Sequence, residues 1–177
     1  EKENLIEKID EIKEQRNQEK RSLDRILELT KQFYVEKKSV QIAEMLEDLI
    51  EKQESLSAKE DMNVMEQEGL NQEFDSIQKE FNELRKQNQE LKEPKNNYDR
   101  EADEKLIDLD MEQALKSLEQ SEEQTCEEEQ NSVKKSREKQ KTAASRMEEL
   151  KNKMKGALMS MEAEGLNEDI DVLRQIL

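Results

Sequence analysis

The chain has 177 residues, 43% of them charged and only 32% hydrophobic, with three Gly, one Pro and no Trp. A globular domain is usually about 45–50% apolar, so this composition excludes a broad compact core but allows narrow buried stripes along helices. The formal net charge of −16, from 46 acidic and 30 basic residues, disfavours nucleic acid and direct contact with an anionic membrane, and suits a protein partner with a basic face.

In chain order, the first predicted helix runs from Lys2 to the mid-thirties. Leu5, Ile9, Ile12, Leu23, Ile26 and Phe33 fall on one 4-3 series, the spacing of a coiled-coil seam. Arg16 and Glu19 occupy seam positions between them, which predicts a weak or water-filled middle. The register shifts between 36 and 42, where Ile42, Leu46, Leu49 and Leu56 restart the count. With no Gly or Pro there, a stutter in one continuous helix is preferred to a turn capped by Ser39. The pattern fades at Leu56, and Ser57 with Glu60 matches a capping box, so a break is expected within 57–63.

The strongest series follows: Leu70, Phe74, Ile77, Phe81, Leu84, Asn88 and Leu91, an unbroken 4-3-4-3 run with one polar member. These seven residues are the expected assembly seam, with Asn88 setting register at some cost in stability. Residues 1–93 thus read as long helical coiled-coil segments. Pro94, followed by Asn96 and Asn97, predicts a loop over 94–98 and a chain reversal.

Residues 99–164 read as helices folding back. One runs from Asp99 to Ser121 with Ile107, Met111, Ala114 and Leu118 on one face. Ser121 to Gln130 is nearly devoid of apolar residues, and Thr125 with Glu128 can cap a new helix. That helix carries Val133 to Met161, with Ala143, Met147, Leu150, Met154, Ala157 and Met161 in series. Gly165 is expected to end it, and Asn167 to cap a further helix within 165–177. The fold class is therefore all-α, with long helices in an antiparallel coiled coil or elongated bundle.

Catalytic chemistry has little to stand on. The chain has no His, hence neither the commonest general base nor the commonest metal ligand. The lone Cys126 is followed by Glu127, Glu128 and Glu129, which disfavour a thiolate. Asp108, Asp110, Glu112 and Glu119 match four positions of a calcium-loop count, but Gln113 stands where the turn needs Gly; an acidic helix face explains them. We expect no enzyme, no cofactor and no metal. Met147, Leu150, Met154, Leu158 and Met161 form a soft apolar series, read first as adaptable core filling of an imperfect bundle and, in the alternative where the protein is a binding module, as a surface for partner helices. The acidic stretch from Glu119 to Glu129 reads as solvated.

No segment reaches the roughly 20 apolar residues of a transmembrane helix. The chain opens at Glu1 without Met and stops inside the apolar pattern Ile170, Val172, Leu173, Ile176, Leu177. Both ends read as cuts in a longer protein, so the lack of a targeting signal carries no information about compartment.

Three stretches carry a family resemblance. They are Leu23 to Leu29 leading into Glu47 to Gln53; Leu84 to Pro94; and Lys135 through Met147 to Leu150, continuing to Glu168–Leu177. In that order the chain resembles the coiled-coil region of a Bacteroidetes family of large membrane-anchored helical proteins of unknown function. The most specific part is Asp169 to Leu177. The resemblance implies an internal soluble segment of a periplasmic or inner-membrane-associated protein, and it transfers no catalytic residues. The leading expectation is a structural or scaffolding segment of a cell-envelope protein, acting through self-association or partner helices. The alternative is a helical clamp on the Met-rich series.

Overall fold

The computed structural model describes the backbone of residues 2–95, 98–122 and 126–176, and side chains over 8–95, 98–122, 128–161 and at 163. Four helices follow in order: α1 Lys2–Ala58, α2 Val64–Gln89, α3 Glu101–Glu122 and α4 Cys126–Ile176. The described residues contain no strand.

Each helix contributes a 4-3 seam to one core. On α1 it is Val35, Ser39, Ile42, Leu46, Leu49, Gln53 and Leu56; on α2, Gln67 followed by Leu70 through Asn88, with Leu91 just past its end; on α3, Glu104, Ile107, Met111, Ala114 and Leu118; on α4, Ser136, Gln140 and Ala143 through Met161. α1 and α3 each pack beside α2 and α4, so α1/α3 and α2/α4 are the diagonals of a four-helix bundle. Neighbours run antiparallel. Across α1 and α2, Lys52 pairs with Glu73 and Lys38 with Glu83. Across α3 and α4, Lys139 pairs with Asp110 and Lys153 with Asp103. This is how a chain poor in apolar residues buries enough: four narrow stripes share one interior.

α1 is continuous through the register shift, as its lack of Gly and Pro predicts. The shift has a three-dimensional meaning. Phe33 and Val40 belong to the first series, Val35 and Ile42 to the second, two residues apart. Two residues turn an α-helix by about 200°. The two stripes therefore lie on nearly opposite sides of α1, and only the second faces the core.

The break after Ala58 falls where expected, but Ser57 and Glu60 do not cap α2. Asn63 does: its side-chain oxygen accepts from the Met65 backbone N–H at 2.8 Å. Around Pro94 the loop is longer than expected, because α2 already ends at Gln89. The proposed cap at Thr125 lies outside the described residues. Gly165 ends nothing, since α4 is helical through to Ile176. A glycine inside a helix costs only about 1 kcal/mol, and nothing at that position forces a turn.

Candidate assembly interface

All seven expected seam residues are buried, six on α2 and Leu91 just beyond its end: Phe74 and Leu84 are fully enclosed, and Asn88 is 7% exposed. They face α1, α3 and α4 of the same chain, so this seam assembles the chain on itself.

Asn88 does not play the role expected of it. Its Nδ2 donates to the Lys95 carbonyl at 2.7 Å, and its Oδ1 accepts from the Lys95 N–H at 2.9 Å. Both amide atoms of its side chain thus clamp the loop beyond α2. Around it the loop is tied down on two sides. The Lys92 N–H donates to Glu28 Oε1 on α1 at 2.7 Å, and Lys31 Nζ donates to the Glu90 carbonyl at 3.0 Å. Tyr98 is 1% exposed and its hydroxyl reaches the Met161 sulfur at 2.9 Å. Burial pushes its phenol above the ordinary value, with the Ser39 hydroxyl opposing.

Of the two readings of the α4 series, the packing shows core filling and removes the partner surface. Met147 and Leu150 are 0% exposed, Met154 1% and Met161 9%; Leu158 is half-buried at the rim. The flexible thioethers fill gaps between four helices and are not presented to a partner.

Sequence reading missed the polar layers. Gln53, Gln67 and Gln140, from α1, α2 and α4, are all fully buried. Gln67 Oε1 accepts from Gln53 Nε2 at 2.9 Å and from Gln140 Nε2 at 2.9 Å, and Gln67 Nε2 donates to Asn71 Oδ1 at 2.8 Å. Gln67 is the hub. The signal was present: Gln53 and Gln140 fall on 4-3 seam positions where an apolar residue is the rule.

Charge layers flank it. Asp110, 2% exposed at its side chain, takes Lys139 at 2.9 Å and Arg146 at 2.6 Å, both from α4. Glu104 on α3 takes Arg85 of α2 at 2.5 Å. Burial works against the Arg85 charge, and the Glu104 carboxylate outweighs it, so the guanidinium titrates above its ordinary value. Lys38 is raised by Glu80, which it contacts directly, then by Glu83. Lys151 of α4 is raised by Glu148 and then by Glu47 of α1, and Glu47 is lowered in turn by Lys151 and Lys155.

Among the acidic residues weighed for calcium, Asp110 points into the bundle toward its cations, while Asp108 is half-buried on α3 and pushed up by burial, with Glu112 and Asp75 adding. They stand along one unbroken helix and do not converge in a loop. No group of three or more metal-ligating side chains comes together among the described residues.

The hollows are open grooves. One of about 480 Å³ lies between the end of α1 and the start of α2, lined by Ser55, Leu56, Met65, Gly69 and Leu70 among others. Another, about 330 Å³, is lined by Phe33, Glu36, Lys37 and Val40 of α1 and Leu158 of α4.

The first stripe of α1 lies outside all of this. Ile9 is 45% exposed, Ile12 52%, Leu23 66%, Ile26 59% and Phe33 57%. Residues 8–27 are exposed at every position. Glu28 and Lys31, holding the α2–α3 loop, mark where α1 leaves the bundle.

Comparison of the chain with family models, curated proteins and solved structures returned no match. No described helix is long and apolar enough to cross a membrane.

Proposed function

We propose that this chain is a structural segment of a larger bacterial cell-envelope protein, a stiff helical node that holds the parts joined to it at a fixed distance. The supporting observation is α1. It has 57 residues without interruption, about 85 Å of helix, and only its second half is used to build the bundle. A helix that runs on beyond its own domain transmits position and orientation, which is what a spacer does. The non-catalytic part of the reading rests on where the charges go. Buried Asp110, Glu104 and Lys151 and half-buried Lys38 are each engaged by opposite charges, all but one of these pairs bridging two helices. They are committed to packing. The envelope assignment rests on the family resemblance of the sequence.

The test is a distance measurement by pulsed electron resonance, with spin labels at Glu11 and Glu54 of the full chain. These are 43 residues apart on one helix, or about 65 Å. One narrow distance near that value supports a stiff spacer. A broad or much shorter distribution refutes it. Fractionation of the source cells with an antibody to this segment tests the envelope part separately; recovery in the cytosolic fraction alone overturns it.

A further inference from the structure

We propose that the projecting half of α1 is a self-docking surface, pairing antiparallel with the same stretch of a second copy of this chain.

The stripe has the spacing of a two-stranded seam, and nothing among the described residues covers it: Ile9, Ile12, Leu23 and Ile26 are 45–66% exposed. Four large aliphatic residues repeating on one face of a water-exposed helix is the pattern of a helix that lacks its partner.

What chooses the occupant is the charge pair in the middle. Arg16 and Glu19 sit on the seam itself, between the two aliphatic pairs, and both are exposed. In a parallel pair each would meet its own copy, Arg against Arg and Glu against Glu, at the centre of the interface. In an antiparallel pair a-type positions meet d-type positions. The register that sets Arg16 opposite Glu19 of the second copy also sets Glu19 opposite Arg16, by two-fold symmetry. The same register puts Ile12 opposite Leu23 and Ile9 opposite Ile26, twice each. All six layers are matched at once: four aliphatic layers outside, two opposite-charge layers inside. An unrelated helix has no reason to match this order, whereas a second copy matches it automatically.

The flanks allow the arrangement. Lys13 and Lys20 come to the same edge of the pair, but Lys13 is already held by Asp10 at 3.0 Å, and charges at a solvated edge are screened far more than charges in the seam. Asp10, Glu14, Asn17 and Asp24 lie toward the outer side, where a two-stranded coil leaves charge exposed. The bundle is not disturbed, because its own seam on α1 starts only at Val35.

The test is the mass of the full chain in solution by sedimentation equilibrium across a concentration series, with charge-swapped variants. The wild type is expected to associate to twice the 21.0 kDa chain mass. Arg16→Glu places four acidic side chains together in the antiparallel pair and should raise the dissociation constant on the order of a hundredfold, since like charges juxtaposed across an interface cost several kcal/mol. Glu19→Arg should do the same. The double swap Arg16→Glu/Glu19→Arg should recover wild-type association. A parallel pair predicts otherwise: Arg16→Glu only exchanges one like-charge layer for another. Because both sites lie outside the bundle, the melting temperature of each variant at low concentration should match the wild type, so loss of dimer is separable from loss of fold. A monomer at every concentration overturns the proposal, whether the stripe stays bare or is covered from within the chain. So does a dimer indifferent to the single swaps.

Discussion

The two halves of α1 carry the same kind of seam and meet opposite fates. Residues 35–58 present Val35, Ile42, Leu46 and Leu49 at 0% exposure, while Leu23, Ile26 and Phe33 on the preceding turns are more than half exposed. The helix is one piece, and the apolar rhythm is the same. The difference is phase. A step of two residues swings the stripe around the helix, and the three other helices are all on one side. Heptad spacing thus specifies a face that needs covering, but burial depends on whether another element reaches that face.

The comparison is broken most sharply by truncating side chains on either side of the step. Leu46→Ala should cost about 2–5 kcal/mol of stability, because the surrounding helices cannot collapse fully into the void. Ile26→Ala should change it by less than about 0.5 kcal/mol, as at an ordinary surface site. Thermal and denaturant melts at low concentration check both, and equal costs would remove the distinction between the halves.

Polar seam residues sharpen it next. Gln67→Leu strands the amides of Gln53 and Gln140 in the core and should cost about 1–3 kcal/mol for each group left unpaired. Replacing all three with Leu should return much of that loss, since a fully apolar layer leaves nothing unsatisfied. A triple variant weaker than the single one would mean that the layer is worth more than its pairings. Asn88→Leu releases both hydrogen bonds to Lys95 and should also destabilise by about 1–3 kcal/mol. In contrast, a change in the projecting half such as Arg16→Glu should leave the melt alone.

Smaller gains come from the glycines. A Cβ at Gly69 or Gly156 meets nothing within 4 Å. Gly69→Ala and Gly156→Ala should therefore each stabilise the bundle by about 0.5–1 kcal/mol through helix propensity. Unchanged melting would point to a role for the open groove beside Gly69.

The smallest effect is a pH dependence. Lys38 and Lys151 titrate above their ordinary 10.5 in the folded chain because of Glu80 and Glu148. A raised folded value means that their contribution is complete below about 10.5 and is lost as pH rises through the folded value. Stability should fall at strongly alkaline pH, and less so in a Lys38→Met/Lys151→Met variant. Identical alkaline profiles would show that these pairs carry no net stability.

Much of the bundle was legible in the residues. The seam from Leu70 to Leu91 reads directly as a buried stripe, because its period is regular over three heptads and the α-helix converts that period into one face. The continuity of α1 was readable from the lack of any breaking residue between 36 and 42. Other features were not. Gly165 looks like a helix end, but a stop signal acts only where the chain gains by turning. Asn88 looks like a register residue, but its partner is the Lys95 backbone, seven residues along and brought back by the loop. Met147 to Met161 read as core filling or as a soft surface, and only the packing chose the first, because a sequence cannot say which apolar stripe finds company.

By itself, the order of residues determined that this chain is helical and where its apolar faces lie, since both follow from local geometry and the spacing of side chains along one helix. Only the tertiary structure decided which faces are shared. It put the second stripe of α1 against α2 and α4 and left the first in water, and it turned Gln53, Gln67 and Gln140 into one layer. Contacts of that kind depend on the relative placement of segments far apart in the chain, and no local pattern encodes that placement.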